Sequence, residues 1–157
     1  MKKMIAILAA MLLGLFAAGA SAMEGISVNM PWVNEAPPHA AAMAGYMMLK
    51  NGSDQPRVLV GASSPAFASA MLHRTVMQNG MAKMLHQKAI VVPAHGTVTF
   101  EPNGYHIMLM KPKKHYVAGD KLKITLRFKN GEKITTVFPV RKGEGMPMGN
   151  MKMEHGM

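Results

Sequence analysis

Hydrophobic and polar residues alternate over short stretches along most of this chain, and turn-forming residues separate one stretch from the next. Alternation with a period of two is typical of β-strands that bury one face. Ten strands are predicted on this basis: Ile26–Met30, Met43–Lys50, Arg57–Ala62, Ala70–Met77, Met81–Gln87, Lys88–Val92, Thr97–Glu101, Tyr105–Met110, Leu122–Lys129 and Lys133–Val140. Such regular spacing of strands and turns predicts an all-β fold, an antiparallel Greek-key barrel or sandwich.

The last two predicted strands form the clearest hairpin of the chain. Their apolar faces come together only if the connecting loop has an odd number of residues, because a shift of one residue turns every side chain to the other face. We therefore predict a three-residue loop with Gly131 in the left-handed conformation. The predicted partners are Phe128 with Ile134 and Ile124 with Phe138.

The two ends of the chain differ in composition from the predicted β-domain, which spans residues 23–142. Residues 1–22 combine Lys2 and Lys3 with a short apolar run and an Ala-Ser-Ala sequence, which is the pattern of a cleavable secretory signal peptide. The apolar run is too short for a membrane span. We therefore expect a periplasmic protein with no stable membrane insertion after cleavage. Residues 143–157 lack apolar periodicity and contain several Gly and Pro, which predicts a flexible tail rich in Met and His.

Composition narrows the classes of function. The chain contains 19 Met and no Cys, although disulfides are available outside the cytoplasm. Its formal net charge is +10, but export removes it from nucleic acids and no nucleic-acid-binding module is recognisable. No hydrolase nucleophile motif is recognisable either. We therefore expect a binding protein and not an enzyme, and we expect it to be a monomer.

Four residues form a candidate metal site with soft, neutral donors. His73, Met84, His106 and Met108 follow the spacing H-x10-M-x21-H-x-M. Two imidazoles and two thioethers suit Cu(I) best among first-row metals, because thioether sulfur is polarisable. His106 and Met108 are two residues apart in a predicted strand, so they share a face. His73 and Met84 flank the 78–80 turn, and they share a face only if that loop has an even number of residues.

Several alternatives remain open at this stage. Met71 and His86 belong to the same predicted face as His73, so either one can replace a ligand or lie beside the ligands. If the four residues are not gathered, the chain is a non-metal β-sandwich binding module with Met as packing. The tail is a second candidate site for Cu(I) or Cu(II), with a solvated low-complexity end as the alternative. Its candidate ligands are Met146, Met148, Met151, Met153, His155 and Met157.

The four-residue spacing resembles the signature of the PCuAC family of periplasmic copper chaperones. The similarity extends over nearly all of the domain, including the strand leading to Trp32, the segment around Tyr46, Asn51-Gly52, the strand 106–110 and Gly119-Asp120. The resemblance implies a cupredoxin-like β-barrel that binds one Cu(I) at the four residues. It also implies delivery of copper towards the binuclear copper centre of cytochrome c oxidase, alongside Sco-type thiol proteins. A copper buffering or resistance protein has the same site and differs only in the destination of the copper.

Overall fold

The computed structural model describes residues 25–143, and this part of the chain contains ten strands and no helix. The strands are β1 (Ile26–Asn34), β2 (Ala42–Asn51), β3 (Arg57–Ser63), β4 (Phe67–Gln78), β5 (Met81–His86), β6 (Ile90–Val92), β7 (Thr97–Phe100), β8 (Tyr105–Pro112), β9 (Lys121–Phe128) and β10 (Lys133–Arg141). All ten predicted strands are found. The predicted signal peptide and the tail beyond Gly143 lie outside the described residues. Nothing in the stretch 25–143 forms a helix long and apolar enough to span a membrane.

The strands form one open hydrogen-bonded ladder in the order β5-β4-β8-β7-β2-β1-β10-β9-β3-β6. The two end strands of the ladder, β5 and β6, do not pair with each other, so the ladder does not close into a barrel. Of the two predicted architectures, barrel and sandwich, the sandwich is the correct one. Most neighbours are antiparallel, as predicted, but β1 runs parallel to β10 and β7 runs parallel to β8. Buried side chains from both halves of the ladder pack into a single core, including Leu49, Leu59, Ile107, Ile124 and Phe138.

The β9–β10 hairpin has the predicted loop but a different register. Gly131 is left-handed with φ of 89°, and its N–H donates to the Phe128 carbonyl across a three-residue loop. Ile134 pairs with Leu126 and not with Phe128, and Phe138 is displaced in the same way, so the predicted partners are wrong by two residues. A shift of two keeps the apolar faces together, because side chains alternate with a period of two.

The β4–β5 hairpin closes with the two residues Asn79 and Gly80. Both have positive φ, 52° and 74°, which is the conformation of a type I′ turn and matches the twist of the flanking strands. The loop is therefore even, as the candidate site requires, and it pairs Thr75 with Met84. This short turn fixes which side chains of β5 share a face with those of β4.

Candidate metal centre

The outward face of β4 carries the centre of the candidate site, because β4 lies between β5 and β8 in the sheet. His73 pairs directly with His106 of β8. On the other side of β4, Met84 is opposite Thr75 and therefore diagonal to His73. Met108 follows His106 by two residues and points to the same face. The fold thus brings all four predicted residues onto one outward face of three neighbouring strands.

Packing on the two faces of β8 explains why this face is available for binding. Ile107 and Leu109 are fully buried and point into the core. His106 points away from the core and is nevertheless only 4% exposed. Tyr46 and the Pro102–Asn103 turn line the same cavity as His106 and flank it. His106 is therefore shielded from solvent although it lies on the outward face.

Two buried ring nitrogens face this site with their hydrogen-bonding capacity unused. His106 Nδ1 lies 3.3 Å from the Gly104 carbonyl oxygen, which assigns the ring proton to Nδ1 and leaves a lone pair on Nε2. Neither His106 Nε2 nor His73 Nδ1 has a hydrogen-bond partner among the described residues, although both atoms are buried. Buried polar atoms nearly always have a partner. A metal ion between the two rings is the kind of partner that accepts such a lone pair.

The electrostatics of the site favour neutral imidazole. Burial, followed by the charges of His106 and His86, lowers the pKa of His73 from its ordinary value of 6.5. His73 is therefore neutral at pH 7 and has a lone pair available for a metal. Between residues 25 and 143, no three His, Cys, Asp or Glu side chains are arranged to hold a metal ion. The thioethers of Met84 and Met108 are the further soft donors on this face.

The site is shielded on one side and open on the other. A cavity of about 450 Å³ is lined by Met84, His106 and Met108 together with small side chains of neighbouring strands. Met84 is 59% exposed, because β5 is the edge strand of the sheet and every residue of β5 is exposed. Met84 is therefore the most exposed of the four candidate ligands.

Two further side chains lie on the same face, as the alternation predicted. His86 pairs with His73, and their ring centroids are 5.8 Å apart, so His86, His73 and His106 form a row across three strands. Met71 pairs with Met108 in the next row. The flanking residue Tyr46 was not singled out as part of the site by the sequence. The sequence placed Tyr46 in a predicted strand and in a segment similar to the PCuAC family, but the alternation does not show which strands are neighbours.

Comparison with known proteins assigns the chain to a family. The family model described as "Putative lipoprotein LpqE-like" matches residues 26–140, a range that contains all four candidate ligands. The chain belongs to the LpqE-like family. A relative named "Putative lipoprotein Lxx21020", from Leifsonia xyli subsp. xyli, is 36% identical to this LpqE-like chain over 123 residues, which are 78% of this chain and 73% of the relative.

Solved structures similar to this LpqE-like protein are PCuAC domains and a copper-binding protein. The solution structure of Cu(I)-DR1885 from Deinococcus radiodurans is 37% identical with a TM-score of 0.65, and the match covers 81% of this chain and 85% of that one. The copper-bound PCuAC domain from PmoF2 is 26% identical with a TM-score of 0.64, and the match covers 74% and 92% of the two chains. The predicted cupredoxin-like β-sandwich fold is thereby confirmed.

Proposed function

We propose that this LpqE-like protein is a periplasmic copper chaperone that binds Cu(I) through His73, Met84, His106 and Met108. The observation that carries the proposal is the pair of buried ring nitrogens, His73 Nδ1 and His106 Nε2, which lack a partner within residues 25–143. The similarity to copper-bound PCuAC structures supports the identity of the metal. The protein binds and releases its cargo and catalyses no reaction.

The donor set suits transport better than permanent storage. Thioether sulfur prefers soft Cu(I), and the two neutral imidazoles complete the coordination without adding negative charge. His73 and His106 lie on the two inner strands of the site and set its geometry, whereas Met84 lies on the exposed edge. We infer that transfer proceeds by stepwise ligand exchange that begins at Met84. An incoming thiolate or thioether of the acceptor displaces Met84 while the imidazoles still hold the ion.

The acceptor that we propose is the binuclear copper centre of cytochrome c oxidase or a Sco-type thiol protein. The names of the family model and of the relative from Leifsonia xyli describe lipoproteins, which supports a location in the cell envelope. The signal-peptide pattern of residues 1–22 supports export. A copper buffering protein remains the second candidate, because it has the same site.

The ligand set is tested by anaerobic titration with Cu(I) against a competing chelator, followed by X-ray absorption at one equivalent. We expect two nitrogen and two sulfur neighbours from the domain. His106→Ala should lower the affinity sharply, whereas the matched variant His95→Ala should not. His95 lies in the loop between β6 and β7, and its exposed ring contacts Asp54. Unchanged affinity in His106→Ala would remove the assignment.

The destination of the copper is tested by mixing the loaded protein with the isolated copper-binding domain of the oxidase. A chaperone transfers Cu(I) to the copper-free domain faster than a small-molecule Cu(I) complex does. A buffering protein keeps its copper in the same mixture and protects cells against excess copper. This comparison separates the two candidates without changing any ligand.

The tail is proposed as a second copper site, with ligands among Met146, Met148, Met151, Met153, His155 and Met157. Thioethers and one imidazole in a segment rich in Gly have the soft-donor character that Cu(I) prefers, and His155 adds a ligand for Cu(II). Truncation after Lys142 should reduce the copper bound per protein from two ions to one. An unchanged ratio favours a solvated end that binds no metal.

A further inference from the structure

The face that carries the candidate metal centre continues past the four ligands to the tip of the β4–β5 hairpin. Met77 pairs with Ala82, one row closer to the turn than the pair of Thr75 with Met84 on the same face. Residues two apart in a strand share a face, so Met77 lies on the same side of β4 as Thr75 and His73. The hairpin therefore carries a further thioether, Met77, on the outward face of the centre.

The tip of this hairpin extends beyond the neighbouring strand β8. β8 pairs with β4 as far as Arg74, and the Thr75 N–H then donates to the Gly104 carbonyl oxygen over 3.0 Å. Past Thr75, within residues 25–143, β4 pairs with β5 alone. Met77 lies on this two-stranded part and is 69% exposed, more than any of the four candidate ligands. A copper complex in solution therefore has direct access to the Met77 sulfur.

The cavity at the centre opens towards Met77. This cavity of about 450 Å³, which contains Met84 and His106, is also lined by Thr75 and Ala82. Ala82 is the direct cross-strand partner of Met77. Its side chain is a single methyl group, so it leaves the outward face open between Met77 and the cavity. Met77 therefore stands at the mouth of the cavity.

The register of the hairpin places the Met77 and Met84 side chains within reach of one ion. Met77 is diagonal to Met84 across the hairpin, as His73 is on the other side of Thr75. Diagonal partners in a sheet are about 7 to 8 Å apart, a distance that two long side chains bridge. Thioether sulfurs are soft, neutral donors that suit Cu(I). Met84 therefore has a possible co-ligand on each side, Met77 at the mouth and His73 in the centre.

We propose that Met77 and Met84 form a capture position, in which incoming Cu(I) binds before it reaches the four-residue centre. This inference rests on the proposed function, and it adds a residue that takes part in loading but not in the final coordination. The ligands of the incoming complex leave as the two sulfurs bind. The ion then exchanges the Met77 sulfur for the ring nitrogens of His73 and His106 and keeps Met84. Every protein ligand exchanged is neutral and donates a lone pair, so Cu(I) keeps its charge and no proton or electron is transferred.

The experiment mixes the full copper-free chain with a coloured Cu(I)–chelator complex under anaerobic stopped flow. Met77→Leu keeps an exposed apolar side chain of similar size and removes the sulfur. It should slow loading by about tenfold, because a thioether attached beside the centre acts at high effective concentration. Removal of bound Cu(I) by excess chelator should slow by the same factor, so the affinity should equal that of the wild type. X-ray absorption at one equivalent should show the same number of sulfur neighbours in both proteins.

The same turn provides the matched control, Met81→Leu. Met81 is 63% exposed, but it pairs with Gln78 and lies on the opposite face of the hairpin. Its replacement should change neither the loading rate nor the removal rate. Equal slowing in Met77→Leu and Met81→Leu would overturn the inference, because the effect would then not depend on the face that carries the sulfur.

Two further results would overturn the inference while the proposed function stands. One is loading of Met77→Leu at the wild-type rate, with the affinity still lowered by His106→Ala. The other is weaker binding and one sulfur neighbour fewer in Met77→Leu, because Met77 would then be a permanent ligand of the centre. An unchanged affinity in His106→Ala, by contrast, contradicts the proposed function itself.

Discussion

The rings of His73 and His106 lie on neighbouring strands with their centroids 5.7 Å apart and their planes nearly perpendicular. Each ring keeps one buried nitrogen without a hydrogen-bond partner in the described part of the chain. An unsatisfied buried polar group costs about 1 to 3 kcal/mol. An ion that accepted the lone pairs of both nitrogens would offset this cost and stabilise the folded state.

Replacing His73 should weaken Cu(I) binding far more than replacing His86. His73 lies between the other two imidazoles, and no three such side chains in residues 25–143 are placed to hold one metal together. We therefore expect His86 to lie beside the ligands and not to bind the ion itself. Changes beside a ligand cost about 10- to 100-fold in metal affinity, so His86→Ala should lie near the lower figure and His73→Ala above the upper one. Chelator competition measures both, and equal losses would make His86 a ligand.

Removing the sulfur of Met84 should lower the affinity for Cu(I) and leave the fold unchanged. Met84→Leu keeps an apolar side chain of similar volume, and the position is exposed, so the free energy of unfolding should change by less than about 0.5 kcal/mol. Met81→Leu is the matched control. Met81 is on the same strand and 63% exposed, but it points to the opposite face, so its replacement should not affect Cu(I) affinity. X-ray absorption should show one sulfur fewer in the Met84 variant alone.

The copper-free protein should lose stability as the pH falls below 6.5. Burial and the charges of His106 and His86 lower the pKa of His73 in the folded state, so the unfolded chain takes up its proton at a higher pH. Stability is greatest above 6.5, decreases as the pH falls towards the lower folded pKa, and loses nothing further from this group below it. Urea unfolding between about pH 8 and about pH 5 measures the effect.

The contribution of His73 to that profile is isolated with the variant His73→Asn. Other groups titrate in both proteins, so the quantity to compare is the difference in the free energy of unfolding between variant and wild type. That difference should shift in favour of the variant as the pH falls below 6.5. A difference that stays constant across the range would contradict the assigned cause.

The turn at Gly80 should be sensitive to a side chain that resists the left-handed conformation. Gly80 has φ of 74°, and no atom lies within 4 Å of the position where a Cβ would stand. The cost of Gly80→Ala is therefore conformational and not steric, about 1 to 2 kcal/mol in the free energy of unfolding. Gly80→Asn should lose less, because Asn tolerates this conformation. Equal losses in thermal or urea unfolding would point to a different cause.

The sequence was sufficient to predict which residues share a face, because that property depends only on alternation within a strand. His106 with Met108, and His73 with Met84 across an even loop, follow from local pattern alone. The same reasoning placed His86 and Met71 on this face. The predicted β9–β10 pairing put the correct side chains on the buried face, because the face follows the apolar pattern. The predicted partners were wrong by two residues, because the exact partner depends on where the loop closes.

The order of the strands could not be predicted from the sequence, because it depends on contacts between residues distant along the chain. Nothing local indicates that β4 lies between β5 and β8, and this arrangement is what makes His106 a direct neighbour of His73. The burial of His106 depends in the same way on Tyr46 from β2 and on the Pro102–Asn103 turn. The contact of Gly143 with Asn34 likewise follows from the parallel pairing of β10 with β1.

A groove of about 790 Å³ beside the candidate metal centre is lined in part by the one tryptophan of the chain. Trp32 packs on Tyr46 with ring centroids 4.7 Å apart, and both rings line the groove. A chain segment or a partner that enters the groove displaces water from around the indole. We therefore expect the emission maximum of Trp32 to report occupancy of the groove without any attached dye.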